Sequence, residues 1–203
     1  NYRSTQTILS AANSVIAKNT SHPILKLWTQ KDGGEKIRMR VCKSGLSEAS
    51  FVTSEIAGFL RDGYNLQDFA VLYRTNAQSR VLEEALLHQG IPYVLVGGVR
   101  FYERKEIKDV LSYLRLLANP KDTVSKKRVA KFGKTRLGKF QEFKEEVGDS
   151  PENFTTLELL DGVLTKVGYL ELYEKETEEN IARLENIKEL RSVATQFPII
   201  HDF

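Results

Sequence analysis

The stretch DFAVLYRTN, residues 68–76, constrains the fold of this chain more than any other. Phe69 to Tyr73 is unbroken in its apolar character and closed on either side by Asp68 and Arg74. A half-exposed strand alternates apolar with polar; a short continuous run is the pattern of a strand buried on both faces, as in a parallel sheet. A second run of this kind, Pro92 to Val96, ends in Gly97-Gly98, and Lys36 to Lys43 alternates as a third short strand through Ile37, Met39 and Val41. Between these runs the apolar period changes to that of a helix. Ile8, Ala11, Ala12, Val15 and Ile16 mark a helix from Thr5 to Lys18. Phe51, Val52, Ile56 and Phe59 mark another from Glu48 to Leu60, stopped by Asp62-Gly63. Val81, Leu82, Ala85 and Leu86 mark a third, which Asn76 can cap and Gly90 can close. Helices alternating with short apolar strands predict an α/β arrangement, a parallel sheet with right-handed crossovers.

The pattern changes after Pro120. A helix from Glu103 to Leu117, with Ile107, Val110, Leu111, Leu114 and Leu117 on one stripe, is terminated by Asn119-Pro120. Beyond it lie a basic segment, a helix from about Phe154 to Val167, a break at Gly168 and a long helix from about Glu176 to Phe197. The inner face of that last helix is Ile181, Leu184, Ile187, Leu190, Val193 and Phe197. This places a boundary near Asn119 to Asp122, with an α/β part over 1–121 and a mostly helical part over 122–203.

Charge divides along the chain in the same way. Lys121 to Lys144 carries nine Lys/Arg against two Asp/Glu, whereas Glu145 to Leu190 carries four against thirteen. The basic segment reads either as a polyanion-facing surface or as a solvated face. With 41% hydrophobic and 28% charged residues the composition is globular. The single cysteine, Cys42, permits no intramolecular disulfide, and no apolar run approaches the roughly 18 residues of a membrane span. These features predict a soluble, cytoplasmic protein with no membrane partner.

In open parallel sheets ligands bind beyond the carboxyl ends of the strands. Two successive expected strands end there in Arg74-Thr75-Asn76 and in Gly97-Gly98, which puts both loops on one rim. Arg74 and Arg80 can neutralise phosphate, Asn76 can donate and accept, paired glycines admit a ligand closely, and Phe101 and Tyr102 offer faces on which a base can stack. The plainer alternative is that Asn76 is only a cap and Gly97-Gly98 only a turn. No GxxxxGK(S/T) loop, GxGxxG fingerprint or metal-ligand spacing is present, and His22, His88 and His201 are scattered.

Several of these strings occur together in one family. NYRST followed by ILSAAN, then AVLYRTNAQSRVLEEALL, then GIPYVLVGGVRFYERKEIKDVLSYLRLLANP, resembles in order and spacing the second motor half of UvrD/Rep/PcrA-type superfamily I DNA helicases; RLENIKELRSVATQF is similar to the closing helix of their accessory 2B subdomain. The resemblance implies that 1–121 is the front part of a RecA-like subdomain 2A and 122–203 an incomplete 2B. It also implies that the chain is a fragment of an ATP-dependent, 3′-to-5′ helicase. Arg3 would be the arginine that reaches the γ-phosphate across the cleft between two lobes, an unfavourable position for a cation near a helix start unless it meets a ligand. Tyr2 would stack on the adenine. Arg74, Thr75, Asn76 and Arg80, with Gly97, Gly98, Phe101 and Arg104, would line the groove for single-stranded DNA. In relatives a PKRGIG-like loop near the duplex junction follows; here the corresponding stretch is RVAKFGKTRLGKF, without the proline or the GIG pattern. Contact of Lys126, Lys127, Lys134 and Arg136 with duplex therefore rests on charge. The phosphate loop and DExx carboxylates of the family are absent from this sequence, so ATP and Mg²⁺ are expected for the parent and no cofactor for the fragment, which is expected to be monomeric and inactive alone. A stand-alone nucleic-acid-binding or protein-docking module of similar fold is the competing reading.

Overall fold

A computed structural model describes residues 3–19, 27–31, 33–148 and 150–203. By packing, the chain forms two compact units, Asn1–Lys43 and Ser44–Phe203.

In the first unit, α1 (Gln6–Ile16) buries Leu9. Its first-turn N–H groups have no intrahelical acceptor, and the loop at 31–33 supplies one: the Gln6 N–H donates to the Lys31 carbonyl at 3.0 Å, and the Thr7 hydroxyl donates to the Gly33 carbonyl at 2.8 Å. Gly34, at φ +99°, passes so close to Thr5 that a side chain would collide with its hydroxyl.

In the second unit, α2 (Gly45–Arg61) starts in a capping box in which Ser44 and Ser47 each accept the other's backbone N–H. It packs on α3 (Ser79–His88), and Ile56, Leu86 and Ile91 form a small core with Val52, Leu60, Phe69 and Tyr93. Gly90, at φ +65°, closes α3 by letting the Ile91 N–H return to the Leu86 carbonyl at 2.9 Å.

The larger core is helical. α4 (Lys105–Ala118) is its spine, burying Ile107, Val110, Tyr113, Leu114, Leu116 and Leu117. Around it pack α5 (Thr123–Val129), α6 (Lys134–Val147), α7 (Thr156–Thr165) and α8 (Glu178–Ala194). Their starts are sealed by side chains. Asp122 accepts from the N–H groups of Val124 and Ser125, Thr155 and Glu158 form a capping box, and Thr177 accepts from Asn180.

The described residues show the expected outline in part. Segments 36–43, 69–73 and 92–96 are neither helix nor strand, and no strand ladder forms among the described residues. Extended conformation is a local preference, whereas a sheet needs neighbouring backbones; without them Leu72, Val94 and Val96 stand 89%, 86% and 90% exposed. The described fold is mostly helical. Nor does packing break near residue 121. The inner face of α4 buries against α5, α7 and α8, so Asn119–Asp122 is a turn inside one unit, where the Asp122 N–H donates to the Asn119 carbonyl at 3.1 Å. No helix among the described residues is long and apolar enough to cross a membrane.

Candidate nucleic-acid interface

The loop after segment 69–73 is held by an internal acceptor. Gln78 Oε1 takes the backbone N–H of Arg74 at 2.8 Å and of Thr75 at 3.0 Å. Gln78 thus does the work expected of Asn76, and the side chains of Arg74 and Asn76 are left exposed. Gly97 turns the second loop at φ +78°, and Gly98 and Val99 are exposed. Asn76, Gly98, Val99 and Lys105 line one cleft of about 220 Å³ whose opposite wall is Glu179, Arg183 and Asn186 of α8. Asn76 of the first loop and Gly98 of the second thus face one cleft.

Three residues expected beside them are turned inward. Arg80 is 3% exposed; its Nε donates to Glu189 at 2.7 Å and its Nη1 to Glu84 at 2.6 Å. Burial opposes the charged form, but these two carboxylates outweigh it and raise the pKa above the ordinary arginine value. Arg104 is 6% exposed and donates to Asn186 Oδ1 and Ser79 Oγ, each at 2.7 Å. Its burial prevails over the nearby Glu83 and Glu106 charges, so its pKa is lowered; a guanidinium nonetheless remains protonated at neutral pH. The network continues outward. Asn186 Nδ2 donates to Glu106 at 2.6 Å, Ser79 Oγ to Glu83 at 2.7 Å, and Tyr93 OH to the same Glu83 carboxylate at 3.1 Å. Phe101 is a core residue, 1% exposed, with the Arg104 guanidinium 5.2 Å from its ring centre. It offers no face to a base. Tyr102 is partly exposed, but its hydroxyl donates to Glu84 at 2.9 Å, and burial, followed by that carboxylate, pushes its pKa to about 12.

The basic segment folds into α5 and α6. Lys126, Lys127 and Lys134 are exposed. Arg136 is half-buried, donating to the Gly168 carbonyl at 3.2 Å and to Glu171 at 3.4 Å. Arg128 is drawn onto the buried Asp109 at 2.6 Å. In the first unit Arg3 is exposed, and its carbonyl accepts from Lys31 Nζ at 3.5 Å; Tyr2 lies outside the described residues. Among the described residues no group of three or more His, Cys, Asp or Glu is placed to hold a metal ion.

Sequence reasoning missed the contribution of α8 to this region. Asn186 and Glu189 lie three positions apart on it, hence one turn apart on one face, and they meet Arg104 and Arg80 from far along the chain. Their polarity within an amphipathic stripe was the available signal, but nothing local names the partner.

Compared with known proteins, the UvrD-like helicase C-terminal domain family matches residues 1–197. The ATP-dependent DNA helicase PcrA of Staphylococcus aureus is 40% identical over 237 aligned residues, covering 97% of this chain and 32% of that protein. The ATP-dependent DNA helicase PcrA of Staphylococcus epidermidis is 36% identical over the same shares. The chain thus spans about a third of the length of these relatives.

Proposed function

The chain belongs to the UvrD-like helicase C-terminal domain family, and from that premise we propose that it is the part of an ATP-dependent DNA helicase that carries one wall of the single-strand groove. The observation that carries this reading is the cleft that Asn76 of the first loop and Gly98 of the second line together, with Lys105 in its wall and the exposed Arg74 two residues before Asn76. Arg74 and Lys105 would meet phosphates, Asn76 would donate to or accept from sugar and base edges, and the glycines would let the strand approach the backbone. Such contacts bind with little sequence preference and strong salt dependence. Arg80, Phe101 and Arg104, expected from the resemblance to touch DNA, support the loops from beneath.

The nucleotide is handled elsewhere in the parent. Arg3, exposed ahead of α1, fits the role of a cation brought to a γ-phosphate held by another lobe, with Tyr2 beside it against the base. The sequence has no GxxxxGK(S/T) loop, and in this reading the phosphate loop, Mg²⁺ and the hydrolytic step belong to the remainder of the parent. In this reading the parallel sheet of a RecA-like lobe completes itself with strands from that remainder, against segments 69–73 and 92–96. Lys126, Lys127 and Lys134 on α5 and α6 supply a second cationic face suited to duplex at the junction. The fragment acts as a monomer in the cytoplasm.

The test is binding of a fluorescein-labelled oligothymidine by the chain, followed by anisotropy at low salt. Arg74→Ala with Asn76→Ala should weaken it by roughly tenfold, on the order of 1–2 kcal/mol for one lost phosphate contact and one lost hydrogen-bonding amide. Unchanged affinity would remove the rim assignment.

A further inference from the structure

The exposed loop at Arg74–Asn76 is continuous with a turn whose next two residues, Ser79 and Arg80, are buried. Both are gripped from α8: Arg80 directly by Glu189, and Ser79 through Arg104, which in turn holds Asn186. Arg104 also donates to the Val99 carbonyl at 3.4 Å, immediately after Gly97-Gly98. One turn of α8 therefore reaches under both loops, through two almost wholly buried arginines. The polar atoms of this cluster are satisfied by one another, which makes the arrangement specific and hard to shift by halves.

We propose that Asn186 and Glu189 of α8 are positioning residues for the single-strand rim, setting the placement of the Arg74–Asn76 and Gly97-Gly98 loops through Arg80 and Arg104. The inference rests on the reading of that rim as the single-strand site. It makes the rim's affinity depend on Glu189, a side chain turned to Arg80 and not part of the cleft wall.

Electrostatics alone predicts the opposite sign, and this makes the proposal testable. Deleting a carboxylate near a polyanion site raises affinity by simple charge; deleting the grip on Arg80 lowers it by misplacing the loop. Glu189→Ala should weaken oligothymidine binding roughly fivefold, a coupling of the size packed polar networks carry. Glu189→Gln, whose amide oxygen still accepts from Arg80 Nε, should restore most of it. Equal gains in both variants would overturn the proposal in favour of charge, as would unchanged binding in Glu189→Ala. Circular dichroism and a melting curve accompany each variant. If Glu189→Ala does not fold, Arg80→Lys keeps net charge while losing the fork that spans Glu84 and Glu189; it should weaken binding, and parent affinity there would equally overturn the proposal. The double variant at Arg74 and Asn76 separates the two readings. If it binds normally, the rim itself is misassigned; if it binds weakly while the variants at 189 and 80 do not, the rim stands and the positioning role falls.

Discussion

Two tyrosines in the helical core, changed identically, should differ in their effect on stability. Tyr169 is fully buried, and its hydroxyl sits between Asp109 Oδ2 at 3.1 Å and the Tyr173 hydroxyl at 3.0 Å. Tyr113 is as deeply buried, but its hydroxyl has no hydrogen-bond partner among the described residues. Their rings are 6.3 Å apart, so both lie in one packing environment. Tyr169→Phe removes a hydrogen bond to a carboxylate and strips one partner from Tyr173. Asp109 keeps Arg128 at 2.6 Å, which limits the damage to about 2 kcal/mol. For a chain of this size that is a fall of roughly 4–8 °C in Tm. Tyr113→Phe removes a buried polar atom that gains nothing from the fold, so it should leave stability unchanged or raise it by about 1 kcal/mol. The assay is urea unfolding followed by far-ultraviolet circular dichroism, with m-values compared to confirm that the same transition is measured. Tryptophan fluorescence would mislead, because the single tryptophan, Trp28, lies in the other unit. Losses of equal size in both variants would refute the reasoning, since the hydroxyl environments would then not be what separates them.

Burial, the largest influence on it, pushes the Tyr113 hydroxyl up to about 12. An unfolded tyrosine ionises near 10, so above about pH 10 the unfolded chain loses a proton that the folded chain keeps, and stability falls by about 1.4 kcal/mol per pH unit until about pH 12; Tyr113→Phe should flatten that decline in a pH series of urea midpoints. At Gly162 of α7 an added Cβ would lie 2.2 Å from the Phe143 ring of α6. Gly162→Ala should therefore lower Tm, overpacking at about 1–3 kcal/mol exceeding the roughly 1 kcal/mol of helix propensity gained, and Phe143→Leu in the same chain should relieve part of the loss in a double-mutant cycle. In the longer parent, Arg3→Ala should cut kcat for ATP hydrolysis by about 10³-fold while shifting nucleotide affinity little; a near-normal turnover would remove the finger role.

What the sequence made legible was local. α4, α7 and α8 fall within a few residues of the helices expected, because an amphipathic period is written in the segment itself. The basic stretch is two helices that the expected outline lacked, although Val129, Phe140, Phe143 and Val147 recur at helical spacing and are buried. Their lysines hid a pattern that was present. Strand pairing, the burial of Phe101 and the continuity of α4 with the later helices all depend on distant chain. A continuous apolar run favours a strand but cannot create the neighbour that a sheet needs.

The same distinction limits how a cation can be read. Counting Lys and Arg treats each as available to a polyanion, yet a buried guanidinium must be paired before the chain can tolerate it. Arg80, Arg104 and Arg128 are spent on Glu189 and Glu84, on Asn186, and on Asp109. Glu189 and Glu171 of the acidic segment pair with Arg80 and with Arg136 and Lys139, so part of that segment is counter-charge to cations elsewhere in the chain, and their separation along the sequence exaggerates the field of the folded protein. The exposed cations assigned above to the rim are Arg74 and Lys105. Each phosphate neutralised on a single strand contributes about −0.7 to the slope of log affinity against log salt, so two predict a slope of about −1.4. Titrating oligothymidine binding from low to moderate salt measures it directly. A slope near −5 would mean that the lysines of α5 and α6 hold the same strand, and the division into a single-strand rim and a separate duplex face would fail.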